Sequence, residues 1–166
     1  MLTIEKKSLK VGRYVDTKHV DTVLRNYKQE RWVHNSEHIG KEDSLSGWYS
    51  IEELEEYFEK CKEHGADGLR FYFAAYPSDY TEKPEYAGRQ TIVLVATKSK
   101  ETTTGVVNKD LYISTDEGTT VLAYNSSDLC PPFNCPGTGK TGGDGDGWGG
   151  IGTTLVDRGD KGLMVV

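Results

Sequence analysis

A glycine-rich stretch close to the C-terminus carries the residues that most resemble a nucleotide-binding loop. It reads NCPGTGKTGGDGDGWGG over residues 134–150, and Gly139, Lys140 and Thr141 supply the end of the phosphate-loop pattern G-x-x-x-x-G-K-[ST]. The first glycine of that pattern is replaced by Asn134. A phosphate loop also leads into a helix whose first amides hold the phosphate. Six of the nine residues after Thr141 are glycine, which disfavours such a helix, so nucleotide binding is disfavoured and residues 137–150 are expected to form a glycine-rich segment.

Two histidines and two cysteines have spacings that suit zinc. His34 and His38 have three residues between them, and Cys130 and Cys135 have four, which fits a Cys2His2 set. The run HNSEH also matches H-x-x-E-H, a metalloprotease motif, if it lies on a helix. The competing interpretations are exposed histidines at a helix end, and either a Cys130–Cys135 disulfide or two plain thiols in a proline-stiffened turn.

A third group of candidate residues lies on a predicted strand, LRFYFAAY. Side chains alternate along a strand, so Arg70, Tyr72 and Tyr76 are expected to share one face, and Arg89 near the start of the next strand could join them. Arginine with tyrosines suits a ligand pocket or a protein interface. Alternatively, Arg70 stacks on the tyrosines and pairs with a carboxylate in a structural role. The other face is expected to be core and consists of Leu69, Phe71, Phe73 and Ala75.

Two helices must support these strands. The first is predicted from about Asp16 to Val33, where apolar residues recur at helical spacing. The second follows Ser50, which forms a capping box with Glu53, and ends at Gly65. The predicted inner stripe of this second helix consists of Ile51, Leu54, Phe58 and Cys61.

The remaining patterns predict strands in an order without regular β-α-β alternation. Strand-like pieces occur in LTI and KVGRYV before residue 16, in RQTIVLVATK, and in a hairpin KDLYIS–TDEG–TTVLAY that places Gly118 at a positive φ. GTTLVD and GLMVV predict a last pair of strands. We therefore expect an α+β fold, with a mostly antiparallel sheet and two helices packed on one face, in a single domain over residues 1–166.

Composition limits the partners. The 166 residues carry a formal net charge of −6 and no basic cluster, which argues against a nucleic-acid or membrane partner. No apolar run has the length of a signal peptide or a membrane span, and three cysteines are a poor disulfide framework. A cytoplasmic location is therefore expected.

Three hypotheses for the function follow, and no catalytic residue is predicted because no activated nucleophile can be identified. The preferred one is an interaction protein that self-associates or binds a protein partner through aromatic surface and the glycine-rich segment, with Trp148 as an anchor. The second is a small-molecule-binding protein or enzyme with a pocket around Arg70, Tyr72 and Arg89; an Arg70 in a pocket without a carboxylate partner would support it, and an Arg70 buried in an ion pair would rule it out. The third is a zinc-stabilised module.

Overall fold

The computed structural model describes residues 10–133, 155–157 and 163–165. Most of the described chain belongs to helices or antiparallel strands. The elements are, in chain order, α1 (Thr17–Tyr27), a π-helical turn (Lys28–Trp32), α2 (Val33–Ile39), β1 (Ser46–Trp48), α3 (Ile51–Glu63), β2 (Gly68–Ala75), a 3-10 turn (Pro84–Tyr86), β3 (Gln90–Thr102), β4 (Gly105–Asp110), β5 (Tyr112–Thr115), β6 (Gly118–Val121), β7 (Ala123–Tyr124), β8 (Asp128–Cys130), β9 (Leu155–Asp157) and β10 (Leu163–Val165).

The N-terminal helical segment begins where the sequence predicts and runs further. Asp16 caps α1 by accepting a hydrogen bond from the His19 amide at 2.8 Å, and the helical path continues through the π turn and α2 until Gly40, whose φ is 71°. The strand predicted over residues 10–15 is wrong, because these residues lie in no strand and are exposed. No described strand pairs with them. The piece predicted over residues 2–4 lies outside the described residues.

The predicted start and end of helix α3 are confirmed, but its buried face differs from the predicted one. Ser50 Oγ accepts from the Glu53 amide at 3.0 Å, and Gly65 has a φ of 80°. Tyr57 and Cys61 are buried, whereas Ile51 is exposed. Ile51 was predicted to be on the inner stripe, but it occupies the first turn of α3 and is absent from the core that the later turns contact.

The central sheet is built around β3, and it confirms the predicted α+β class. β2 pairs with β3 in an unbroken antiparallel register from Gly68 opposite Thr97 to Ala75 opposite Gln90. The other side of β3 is shared by β7 and then by β4. Strand β4, which returns through a tight turn at Gly105, was not predicted.

The β5–β6 hairpin leaves this sheet from a junction of three residues. The Leu111 amide donates to Ala96 O at 2.8 Å, the Leu122 amide donates to Leu111 O at 3.0 Å, and the Ala96 amide donates to Leu122 O at 2.9 Å. The hairpin itself is confirmed, with Gly118 at a φ of 126°. β9 and β10 pair antiparallel, as predicted.

Both helical segments contact the same face of the sheet. The side chains of Gln90 and Leu94 point to one face because they are separated by an even number of residues. Leu94 packs under α3 together with Tyr57, whose hydroxyl lies 3.1 Å from Leu94 O. Tyr27 of α1 donates a hydrogen bond to the Gln90 side chain at 2.6 Å. No helix among the described residues is long and apolar enough to cross a membrane.

Candidate interaction surface

On the sheet face opposite α3, a polar network joins two strands that are not neighbours. Arg70 Nη1 of β2 contacts Asp110 Oδ1 of β4 at 2.5 Å, and its Nη2 donates to Asn108 O at 2.6 Å. Tyr72 Oη donates to Asp110 Oδ2 at 2.5 Å. The hydrogen bond with Tyr72, followed by the attraction of Asp110, raises the pKa of Arg70 above its ordinary value. We call Arg70, Tyr72 and Asp110 the strap.

The strap passes over the middle strand of the sheet. Arg70 pairs with Val95 across β2 and β3, and Asp110 pairs with Thr97 across β3 and β4. Val95 and Thr97 are both buried, as expected for residues beneath side chains that reach across them. Arg70 therefore has the carboxylate partner that the structural interpretation requires, and it makes three hydrogen bonds within the chain.

Arg89 and Tyr76 lie elsewhere and do not complete a pocket with Arg70. Arg89 precedes β3, and Val95, the partner of Arg70, lies six residues further on, which is about 20 Å along a strand. Tyr76, predicted as a ligand or interface residue, is buried; it donates to Asn125 Oδ1 at 2.8 Å and stacks on Tyr80 with 4.5 Å between ring centroids. Tyr76 is therefore a core residue rather than a surface contact, because the loop after β2 folds back over it.

Arg89 is a buried cation with incomplete hydrogen bonding. It is 7 % exposed, and its Nε donates to Glu85 O at 2.8 Å, but its buried Nη1 has no partner among the described residues. Burial lowers the pKa of Arg89, while the nearby carboxylates of Asp43 and Glu42 act in the opposite direction. This arrangement ties Arg89 to the loop after α2, not to the strap.

The three predicted zinc ligands that the structure describes are His34, His38 and Cys130, and they do not form a group that could hold a metal ion. His34 lies on the exposed side of α2, where Nδ1 is 3.9 Å from a carboxylate oxygen of Glu37, and His38 follows one turn later. Cys130 is buried beside Trp32 and is disulfide-bonded, so it would have to be reduced before it could supply the thiolate that binds zinc. Cys135 lies outside the described residues, as does Trp148. No group of three or more possible metal ligands occurs within the described ranges.

The face of β2 that was predicted to be core is largely exposed. Phe71 is 56 % exposed and Phe73 is 84 % exposed, so this prediction is wrong beyond Leu69. Leu69 packs against the core and lines a shallow hollow with Phe58 and Cys61 of α3. Helix α3 therefore covers the beginning of β2, and the two phenylalanines lie past the end of that cover.

The backbone of β2 adds an open edge to these two side chains. In the described part of the chain, β2 pairs only with β3. Natural edge strands are normally protected by charges, proline or a bulge. β2 contains no proline and no bulge, and its single charged residue, Arg70, is already paired in the strap. We call Phe71, Phe73 and the outward backbone groups of β2 the β2 edge surface.

No family model, curated protein or solved structure matches this chain.

Proposed function

We propose that this chain is an interaction protein that self-associates through the β2 edge surface. The observation that carries the proposal is the exposure of Phe71 and Phe73 on a strand whose outer edge has no described partner and none of the usual protection. Aromatic side chains are enriched among the residues that dominate protein interfaces. A strand edge also offers backbone groups that can pair with another strand.

The available apolar area supports association of modest strength. At about 200 Å² for a phenylalanine, the exposed fractions of 56 % and 84 % give about 280 Å² in each chain. Complete burial in two chains would contribute at most ~14 kcal/mol at about 25 cal/mol per Å². Association costs roughly 4–15 kcal/mol in lost freedom. With a cost of about 6 kcal/mol, which lies within this range, about 8 kcal/mol would be left, and this corresponds to a dissociation constant on the order of micromolar.

Sedimentation velocity from about 0.1 to 100 µM tests the proposal, since this range brackets a micromolar constant. The wild-type chain is expected to shift from monomer to dimer, and Phe73→Ser is expected to remain monomeric with an unchanged thermal midpoint. Tyr112→Ser is the matched control, because Tyr112 is an aromatic residue of the β5–β6 hairpin that is 65 % exposed. A wild-type chain that stays monomeric throughout, or a Phe73→Ser variant that still dimerises, would contradict the proposal.

The glycine-rich segment and Trp148 belong to the same proposal but lie outside the described residues. The pocket hypothesis is weakened because Arg70 is paired with Asp110 at 2.5 Å and is distant along the sheet from Arg89. The zinc hypothesis needs reduced Cys130. Stoichiometric zinc in protein purified under reducing conditions would support it.

The cytoplasm remains our proposed location, on the grounds of composition. The disulfide of Cys130 is the observation that opposes it, because disulfides rarely persist in a reducing compartment. Alkylation of free thiols during cell lysis, followed by mass spectrometry, distinguishes a reducing from an oxidising compartment. Modified Cys130 would support the cytoplasm, and unmodified Cys130 would support an oxidising compartment.

A further inference from the structure

We infer that the partner of β2 is the β2 strand of a second copy, which runs antiparallel about a two-fold axis at Tyr72. This inference rests on the proposed function and adds the register in which the two β2 strands pair. Most homo-oligomers are closed by two-fold symmetry, in which the same patch contacts itself. A two-fold axis perpendicular to the sheet makes the two strands antiparallel. It also keeps both α3 helices, and both pairs of phenylalanines, on one face.

The hydrogen-bonding groups of β2 alternate in a way that suits this pairing. The Tyr76 amide donates to Arg89 O at 3.0 Å, in line with the regular β2–β3 register. In an antiparallel ladder only every second residue bonds to a given neighbour. The even-numbered residues of β2 therefore bond to β3, and the amides and carbonyls of Phe71 and Phe73 point to the outer edge.

A register centred on Tyr72 pairs these outward groups with each other. Phe71 then lies opposite Phe73 of the second copy, and the reverse pair forms on the other side of the axis. Both pairs are hydrogen-bonded pairs, and their rings face each other on the α3 side. Cross-strand aromatic pairs of this kind stabilise a sheet. Centring the axis on Phe71 or on Phe73 would leave the other phenylalanine opposite a non-aromatic residue.

The remaining residues of the strand also fit this register. Arg70 lies opposite Ala74 of the second copy, and Leu69 lies opposite Ala75, so each large side chain faces a small one. The two Arg70 side chains are four residues apart along the ladder, about 13 Å, which exceeds the screening length of about 8 Å at physiological salt. Each Arg70 also keeps Asp110 of its own chain. No like charges are therefore brought together across the axis.

Cysteine cross-linking distinguishes this register from the others. Tyr72 would form a non-hydrogen-bonded pair with its own copy, with Cα atoms about 4.5 Å apart, within the range for a disulfide. Under mild oxidation Tyr72→Cys should give a covalent dimer. Ala74→Cys is the matched control and should give none, since its Cα atoms would lie about 13 Å apart. Because Tyr72→Cys removes part of the strap, a second test keeps Tyr72 and both phenylalanines: Leu69→Cys and Ala75→Cys chains, whose Cα atoms would lie about 5.5 Å apart in a hydrogen-bonded pair, should cross-link when mixed and not when alone.

The outcomes separate the register from the proposed function. Cross-linking of Tyr72→Cys with itself, or of Leu69→Cys with Ala75→Cys, supports the Tyr72 axis. Self-cross-linking of Leu69→Cys, of Ala75→Cys or of Ala74→Cys overturns that register while leaving association through β2 intact. Wild-type dimers in sedimentation without any cross-link place the interface on another face and overturn both. A wild-type monomer with β2 covered by another segment of its own chain likewise overturns both.

Discussion

Replacing Asp43 with alanine should destabilise the fold more than replacing any exposed carboxylate. Asp43 is 2 % exposed. Its Oδ1 accepts hydrogen bonds from the Gln90 amide at 2.6 Å and the Ser44 amide at 2.8 Å. Its backbone carbonyl accepts from Trp32 Nε1 at 2.8 Å. One residue thus connects the N-terminal helical segment, the loop after it and the first residue of β3.

The expected magnitude follows from the two amides that lose their acceptor. A hydrogen bond to a charged group contributes about 1.5–3 kcal/mol net, so two give at most about 6 kcal/mol. Gln90 is half-buried, so water can replace part of the hydrogen bond that its amide loses. Arg89 is buried nearby and also loses an attraction that supports its charged form. We expect Asp43→Ala to lower the free energy of unfolding by about 3–5 kcal/mol, and Asp43→Asn, which keeps an acceptor oxygen, by about 1–2 kcal/mol.

Urea unfolding followed by tryptophan fluorescence measures these differences. Asp16→Ala is the control, because Asp16 accepts a single amide hydrogen bond at an exposed helix N-cap, and its loss should cost about 1 kcal/mol. A loss below about 1 kcal/mol for Asp43→Ala would refute the reasoning. A loss for Asp43→Asn as large as that for Asp43→Ala would show that the charge, and not the acceptor geometry, matters.

Two further predictions concern the tyrosines around α3. Tyr57→Phe should lower the free energy of unfolding by about 0.5–1.5 kcal/mol, because it removes a buried hydroxyl that lies 3.1 and 3.2 Å from two backbone carbonyls; in urea unfolding, a neutral result would refute a net contribution from this hydroxyl. The hydrogen bond from Tyr124 to Glu53, 2.6 Å long, together with burial raises the pKa of Tyr124 to about 12. The neutral form is then favoured in the folded state, so this stabilisation is present below the ordinary value of 10 and is lost as the pH rises through about 12. Unfolding at successive alkaline pH values should show this decline, and Glu53→Gln should shift the tyrosinate absorbance change of Tyr124 to lower pH; an unshifted titration would count against the assignment.

The features that were predictable from sequence are those set by neighbouring residues. Ser50 and Gly65 delimit α3 through capping and a positive φ, and Gly118 marks the β5–β6 turn. Asp43 could not be found in this way, because its importance comes from the Gln90 amide, 47 residues further along the chain. The sequence around Asp43 gives no signal of that contact.

The prediction for Phe71 and Phe73 was wrong for the same reason: the burial of a residue depends on contacts with distant parts of the chain. This error bears on the function. Alternation correctly assigned these residues to one face of β2, and Arg70 and Tyr72 to the other, but it cannot show how far a helix reaches over a strand. In the structure the polar face is used within the chain, since Arg70 and Tyr72 reach across β3 to Asp110, over the buried Val95 and Thr97. The apolar face extends past α3 into solvent. A strand whose polar side is satisfied internally and whose phenylalanines are exposed gains stability from a second strand at its open edge, because that strand pairs its backbone groups and brings aromatic rings beside its own. This is the physical basis for expecting association through β2.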